Sequence, residues 1–332
     1  MAEDLGVGVV GYGRAGVSHM RAAQRATGAR LVGVAESSAD RRAEVSKNFD
    51  CLTVADYREL LNRPDVQIIT IALPHWLHER AAVDAANAGK HILIEKPLAM
   101  EPEECDRINA AAARNGVKLM VGHSQHYSPF NRLARQRLQA GEIGDLIFQT
   151  VNWYKPLGLA TRPAWGMDRS KGGGMLQMNG AHMIDVCRWL ADQPIVAVSG
   201  RVNNDVFGDR VKADDSFLAQ LRFADGKLAG LAHVAYENGV EMYQHDVIGS
   251  RGQMRIASYP PNAGFWISKD GAYEQVTAEG QRGQGFANEL EDFVDAIRRD
   301  ALVPVDGAYG REIVAAMTAL EESTRTGREV RL

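Results

Sequence analysis

Two groups of residues have types and spacing suited to chemistry. Gly11-Tyr12-Gly13-Arg14-Ala15-Gly16 follows an apolar run at residues 7–10 and opens a helix-like stretch. In that context the glycines permit a tight turn and a close backbone approach, and the helix N-terminus meets a pyrophosphate. Glu36 ends the next apolar run, 20 residues beyond Gly16 (36 − 16). A carboxylate there can accept both ribose hydroxyls of a dinucleotide and repel a 2′-phosphate. NAD is therefore expected, with NADP the alternative, because Ser37, Ser38, Arg41 and Arg42 suit a phosphate should Glu36 turn away. The second group is Glu95-Lys96-Pro97, an ionisable pair closing the fifth apolar run. Open α/β sheets place their ligands at such carboxyl ends of parallel strands. The proline bends the chain, and a cis bond would hold Lys96 in a fixed direction; the plainer reading is a surface turn with a solvated lysine.

The elements that must position these groups show in the hydrophobic pattern. Residues 5–122 alternate short apolar runs with helical patterns at 15–27, 39–48, 57–61, 77–88 and 103–115. Strands so uniformly apolar belong in a parallel sheet covered on both faces. Residues 1–122 are thus expected to form a dinucleotide-binding Rossmann domain, a doubly wound parallel sheet. From about residue 147 the runs alternate apolar and polar residues, the sign of antiparallel strands with one open face. Asp225-Gly226 and the Gly249 to Gly252 turn supply hairpin chemistry, and helices are expected at 175–190, 286–299 and 310–324. Residues 123–332 read as a substrate-binding and oligomerisation α+β domain with a large, mainly antiparallel open sheet.

Bulk properties exclude several classes. A chain of 332 residues exceeds what one core usually serves, and 45% hydrophobic with 24% charged residues is ordinary for a globular protein. A net charge of −4 with scattered Lys and Arg argues against nucleic-acid binding. Cys51, Cys105 and Cys187 are far apart, and the nine histidines form no metal-binding pattern, so no disulfide framework and no metal are expected. The apolar runs are too short to span a membrane. The acidic N-terminus does not read as a signal peptide, and a cytoplasmic location is expected.

Several motifs taken together resemble the glucose–fructose oxidoreductase/inositol dehydrogenase (Gfo/Idh/MocA) family over nearly the whole chain. They are the glycine set with His19 three residues on, AGKHILIEKPLA around Lys96, Pro74 with His78, EIGDL at 142–146, Trp165 before a glycine run, GAH at 180–182, and ALEESTRTGREV near the end. The resemblance implies hydride transfer between a nicotinamide cofactor and a secondary alcohol or ketone of a sugar, cyclitol or cyclic diol. It implies that Lys96 orients the substrate hydroxyl and lowers its pKa, and that His182 takes the proton; an imidazole suits that task near neutral pH. Besides the glycine loop, Glu36, Ser37 and Arg41, the cofactor is expected to meet Ala72, Pro74, His75, His78, Glu95, Lys96, Gln125 and Trp165. Substrate contacts are expected from Lys96, His123, His126, Tyr154, Trp165, Asn179 and His182. A homodimer or homotetramer through the C-terminal sheet is expected.

The sequence departs from the family at two places. The common pattern puts Asp four residues before the catalytic His, where this chain has Met178 beside Asn179, and Gly166 follows Trp165 where Arg is common. Asn179 can hydrogen-bond a hydroxyl but cannot act as a base, so acid/base work falls to Lys96 and His182. Asp185 is placed to orient His182 or to contact Arg188. His123, Gln125 and His126 suit either the carboxamide and substrate hydroxyls or a hydrogen-bonded domain junction. Trp153 to Lys155 put an aromatic ring beside a cation, as a sugar or aromatic-acid pocket would, although core packing is the stronger reading for Trp153. His233, Tyr236, Tyr243 and His245 read as surface or interface residues. Two other functions remain open from sequence: an NAD-retaining lyase or glycosidase that oxidises its substrate transiently, and a non-catalytic dinucleotide-binding protein.

Overall fold

The computed structural model describes residues 3–259, 263–278 and 284–332. The chain forms two compact units, Met1–Tyr127 with Gly283–Arg311, and Ser128–Arg282 with Glu312–Leu332.

In the first unit, β1 (Leu5–Val10), β2 (Ala29–Ala35), β3 (Leu52–Val54), β4 (Ile68–Ile71), β5 (His91–Glu95) and β6 (Leu119–Gly122) form a parallel sheet in the order 3-2-1-4-5-6. That is the dinucleotide-binding order, in which a crevice opens where the sequence of strands reverses, between β1 and β4. All four residues of β4 are buried, as the covered sheet requires. The connecting helices are α1 (Arg14–Ala23), α2 (Ala39–Asn48), α3 (Tyr57–Leu61), α4 (His78–Asn87) and α5 (Pro102–Arg114). Their starts are written locally. Ser38 caps α2, a reciprocal Asp56/Glu59 box starts α3, and Pro102 with a Glu101/Glu104 box starts α5. Helix α1 begins on a glycine, Gly13, with no side-chain cap.

The second unit is built on a nine-stranded sheet. Its strands are β7 (Leu146–Pro156), β8 (Ile195–Asn203), β9 (Ser216–Phe223), β10 (Leu228–Tyr236), β11 (Met242–Gly249), β12 (Gln253–Ala257), β13 (Gly264–Lys269), β14 (Ala272–Val276) and β15 (Val330–Arg331). The order is 14-13-12-11-7-10-9-8-15, antiparallel throughout except where β7 runs parallel to β10. The two expected hairpins are present, β9 to β10 through Asp225-Gly226 and β11 to β12 through residues 249–252. Two helices of this unit are α6 (Pro129–Gln139) and α7 (Ala181–Ala191). A single π-helical turn, Leu176–Gly180, leads into α7, so the continuous helix expected at 175–190 is broken at its start.

The remaining helices are α8 (Gly285–Arg298) and α9 (Gly307–Thr326). The sequence suggested a single division at 122/123. By packing, the first unit instead extends to Tyr127 and takes back residues 283–311. The reason is the apolar face of α8, whose Leu290, Phe293 and Val294 join Met20 and Ala23 of α1 in one buried cluster. Among the described residues, no helix is long and apolar enough to cross a membrane.

Candidate active site

The dinucleotide cradle is assembled from the carboxyl ends of β1, β2 and β4. Gly11 has φ +101°, and a Cβ on it would stand 2.4 Å from the Ala72 carbonyl oxygen; on Gly16 it would stand 1.9 Å from that of Gly11. Only glycine fits this strand-to-helix turn. A Cβ on Gly13, by contrast, would meet no atom within 4 Å. The uncapped amides of α1, flanked by half-buried Ala15 and exposed Arg14, therefore look onto open space, the geometry that accepts a pyrophosphate. Beside it lies a cleft of about 250 Å³ lined by Gly11, Glu36, Ala55, Leu73, Leu77 and Arg80 among others.

Glu36 has not turned away. Its Oε1 accepts from Ser38 N at 3.0 Å and its Oε2 from Tyr12 N at 3.3 Å, with Arg41 Nε 3.6 Å from Oε2. Arg41 also donates to the Tyr12 carbonyl and lies over its ring at 5.7 Å, and Arg42 donates to the carbonyls of Glu36 and Ser37. The basic side chains thus tie down the carboxylate and its turn, while Ser37 is exposed beside it. These groups fit a dinucleotide: glycine cradle, uncapped helix end, apolar cleft and a carboxylate at its rim.

Lys96 is half-buried where the chain leaves β5, and its bond to Pro97 is cis. The side chain before it is fixed. Glu95 Oε1 lies 2.9 Å from His19 Nε2, and His19 is 2% exposed. Burial alone would raise the Glu95 pKa, but the bond to His19 and the charges of His19, Lys96 and His78 outweigh it and hold the carboxyl below the usual range. His78, expected at the cofactor, is fully buried, with Nδ1 2.9 Å from the Pro97 carbonyl and Nε2 2.9 Å from that of Leu73. With both nitrogens facing backbone, it supports the site instead of touching a ligand. Burial, partly offset by those carbonyls, lowers its pKa. His75 is also buried, its ring 5.5 Å from that of His78, while Pro74 and Ala72 are half-buried at the rim. His123 and His126 are buried too, stacked at 6.2 Å and both edge-on to Tyr309; that packing favours the structural reading of the two. Gln125 between them is half-buried.

In the second unit, His182 is half-buried on the first turn of α7. The two departures from the family pattern turn out to be neighbours, since a Cβ on Gly166 would stand 3.6 Å from Met178 Sδ. Arg162 Nη1 is also 3.6 Å from that sulfur. Asn179 is buried and donates from Nδ2 to His233 Nε2 at 2.8 Å, so its amide serves the sheet beneath it. Asp185 is fully buried, and Arg188 pairs with Glu312 at 2.7 Å. Lys155 Nζ and Trp153 Nε1 share Glu241 Oε1 at 3.1 and 3.2 Å, and the ammonium lies 5.0 Å from the Trp153 ring. Tyr154 and Trp165 are half-buried nearby in sequence.

Three of the four histidine and tyrosine positions read as surface are not. His233 and His245 are fully buried and Tyr243 is 6% exposed. Burial lowers the His233 pKa to about 3, helped by the charges of Lys155 and Arg162, and that of His245 to about 4. Among the described residues, no cluster of three or more His, Cys, Asp or Glu is placed to hold a metal. Sequence reasoning overlooked His19 as a partner of Glu95, and Ala55, Leu73, Leu77 and Arg80 as cleft walls; the His19 position within the glycine motif was its one visible signal.

Comparison with known proteins agrees with the two-part fold. Residues 5–123 match the profile described as oxidoreductase family, NAD-binding Rossmann fold, and residues 135–332 match the oxidoreductase family C-terminal alpha/beta domain. The scyllo-inositol 2-dehydrogenase (NAD(+)) of Bacillus subtilis is 26% identical over 347 residues, covering 100% of this chain and 97% of the relative. The 1-carboxy-3-chloro-3,4-dihydroxycyclohexa-1,5-diene dehydrogenase of Comamonas testosteroni is 30% identical over 232 residues, covering 69% of this chain and 58% of the relative's length. The aldose-aldose oxidoreductase of Caulobacter crescentus shares the fold, with a TM-score of 0.90 at 23% identity over 99% of this chain and 100% of that one.

Proposed function

Because the chain belongs to the Gfo/Idh/MocA oxidoreductase family, we propose that it interconverts a secondary alcohol and a ketone on a sugar, cyclitol or related cyclic diol, using NAD. The observation that carries this reading is the Lys96 segment, which leaves β5 at the carboxyl edge of a Rossmann sheet whose crevice presents Glu36. Bound NAD supplies the ring that takes up hydride from the alcohol carbon. Glu36 holds the adenosine ribose hydroxyls, and the N-terminus of α1 holds the pyrophosphate. The Lys96 ammonium orients the substrate hydroxyl and favours the developing alkoxide. His182 accepts the hydroxyl proton. With Met178 in place of the family's acid, and Asn179 bound to His233, no carboxylate of the π turn assists it.

We further infer a homodimer or homotetramer formed through the nine-stranded sheet, supported by Ile147 on β7 and Leu218 on β9, apolar side chains that are 49% and 64% exposed. Three free thiols are consistent with a reducing, cytoplasmic setting. Sedimentation or light scattering tests the assembly. The test of the chemistry is Lys96→Ala against a panel of cyclic polyols. NADH formation is expected to fall by roughly 10³-fold, the order that general acid–base and electrostatic groups contribute, while NADH affinity, followed by its fluorescence, stays within about threefold. Undiminished turnover by Lys96→Ala would refute the assignment. Bond cleavage without net NADH would instead identify a lyase that retains its cofactor.

A further inference from the structure

Lys96 sits on a segment held from both sides. Before it, Glu95 is bound by His19 of α1, Nε2 to Oε1 at 2.9 Å. The His19 ring is buried and meets Phe286 of α8 edge-on, with centroids 4.9 Å apart. After it, the Pro97 carbonyl is 2.9 Å from Nδ1 of His78, the first residue of α4. The other nitrogen of that ring is 2.9 Å from the carbonyl of Leu73, which itself lines the dinucleotide cleft. An ionised carboxylate only accepts, so Glu95 receives the Nε2–H of His19. The Pro97 and Leu73 carbonyls also only accept, and a neutral His78 ring has one N–H for the two, so the clamp requires the Nδ1–H tautomer, which gives it to Pro97. The two donors come from the helices that frame the crevice: α1, which offers its N-terminus to the pyrophosphate, and α4, which follows the cleft-lining turn.

We propose that His19 and His78 are positioning residues that clamp the chain on either side of Lys96 and fix the direction of its ammonium relative to the dinucleotide. The inference rests on the assignment of Lys96 made above. Both rings are buried, so neither touches substrate, and their effect passes through the backbone and Glu95. Displacing a reacting group by about 1 Å can cost on the order of 10²-fold in rate, which makes two separate anchors on adjacent residues worth their burial. The groups facing this cluster are Glu95, Lys96 and His75, together with the backbone carbonyls named.

The experiment compares amides whose donor matches each ring nitrogen with amides whose donor does not. His19→Gln places its N–H near Nε2 and His78→Asn places one near Nδ1, while His19→Asn and His78→Gln misplace them; His19→Leu and His78→Leu remove the donor. The Leu variants are expected to lose about 10- to 100-fold in kcat with the KM for NAD within about threefold, and the matched amides to recover most of it. As a readout independent of turnover, the titration of Lys96, followed by NMR after reductive 13C-methylation of the folded protein, is expected to shift in the Leu variants and return in the matched amides. Wild-type kcat and wild-type Lys96 titration in the Leu variants would overturn the proposal. So would losses that follow Tm alone, without rescue. Should the Leu variants not fold, the matched and mismatched amides decide: equal activity in both overturns the clamp. If Lys96→Ala retains full turnover, the functional reading itself fails; if that variant is inactive and the histidine variants behave as wild type, only the clamp fails.

Discussion

Replacing Glu36 with alanine tests the cofactor site most directly. In the structure its side chain is 9% exposed and its two oxygens take Ser38 N at 3.0 Å and Tyr12 N at 3.3 Å. Ser37 Oγ also donates to Oε1 at 3.4 Å; with that exposed hydroxyl turned away, a carboxylate that can accept about four bonds has lone pairs for two ribose hydroxyls. Each charge-assisted bond is worth about 1.5–3 kcal/mol. Because the variant lets water reach the ribose, about 3 kcal/mol for the pair is the expected net loss, or roughly 100-fold in NAD affinity. NADP should move the other way. Two like charges 4 Å apart repel by about 4 kcal/mol at an effective dielectric of 20, and screening at this rim leaves about 1–2 kcal/mol, or roughly tenfold. Arg41, 46% exposed and 3.6 Å from the carboxylate, then has a 2′-phosphate to face in its place. Preference should therefore swing by about 10³-fold in total. Fluorescence titration with NADH and NADPH gives the two dissociation constants, and initial rates give kcat/KM for each. If NADH affinity in Glu36→Ala stayed within about threefold of wild type and NADPH bound no tighter, the carboxylate would not be at the ribose and the crevice would have been misread.

Two further outcomes are expected. Gly13→Ala should leave the melting temperature nearly unchanged, because Gly13 has φ −77° and its Cβ would meet nothing within 4 Å. Its methyl would project in front of the α1 amides, so NADH affinity should fall about tenfold or more, the price of one lost charge-assisted bond; unaltered affinity would place the pyrophosphate elsewhere. The second concerns His245, which is fully buried with Nε2 3.0 Å from Gln149 Oε1, and whose pKa burial lowers from 6.5 to about 4. Between those values the unfolded chain binds a proton that the folded one refuses, so this contribution is complete above pH 6.5 and is lost as pH falls towards 4. At 1.36 kcal/mol per unit it amounts to about 3 kcal/mol. His245→Gln, which keeps an amide donor towards Gln149, should flatten the dependence of urea midpoints on pH between 6.5 and 4. Buried His233 acts in the same direction, so the slope should shrink without vanishing, and an unchanged slope would count against the argument.

What could be read in the sequence follows from how local each determinant is. Helices α2 and α3 fall at the expected bounds because Ser38 and the Asp56/Glu59 box lie next to the turns they fix. The dinucleotide cradle was legible too, since the positive φ of Gly11 and the approach of Gly16 to the Gly11 carbonyl are backbone requirements set within six residues, although the Ala72 carbonyl that also crowds Gly11 comes from β4's end of the crevice. The clamp on Lys96 was not: His19 and Glu95 are 76 positions apart, His78 and Pro97 19, and only the sheet order brings them together. Nor could the pattern of α8 say which core its apolar face would cover. The buried histidines are a different failure, because the information was present. On β11, Tyr243, His245 and Val247 share one face and Gln244 and Asp246 the other, so alternation already put His245 on the apolar side. A polar ring of that parity is a buried, partnered group, as its bond to Gln149 shows.

The same lesson bears on position 178. Counting four residues back from His182 assumes a regular α-helix, whereas Leu176–Gly180 is a π turn, a feature that recurs at functional sites and alters which side chains share a face. Asn179 does not inherit the missing acid, since its amide is held by His233. Met178 instead lies against Gly166 and Arg162, so the two departures from the family pattern form a single change in one wall. A carboxylate placed at 178 would therefore have the Arg162 guanidinium beside it and would pair with that charge first.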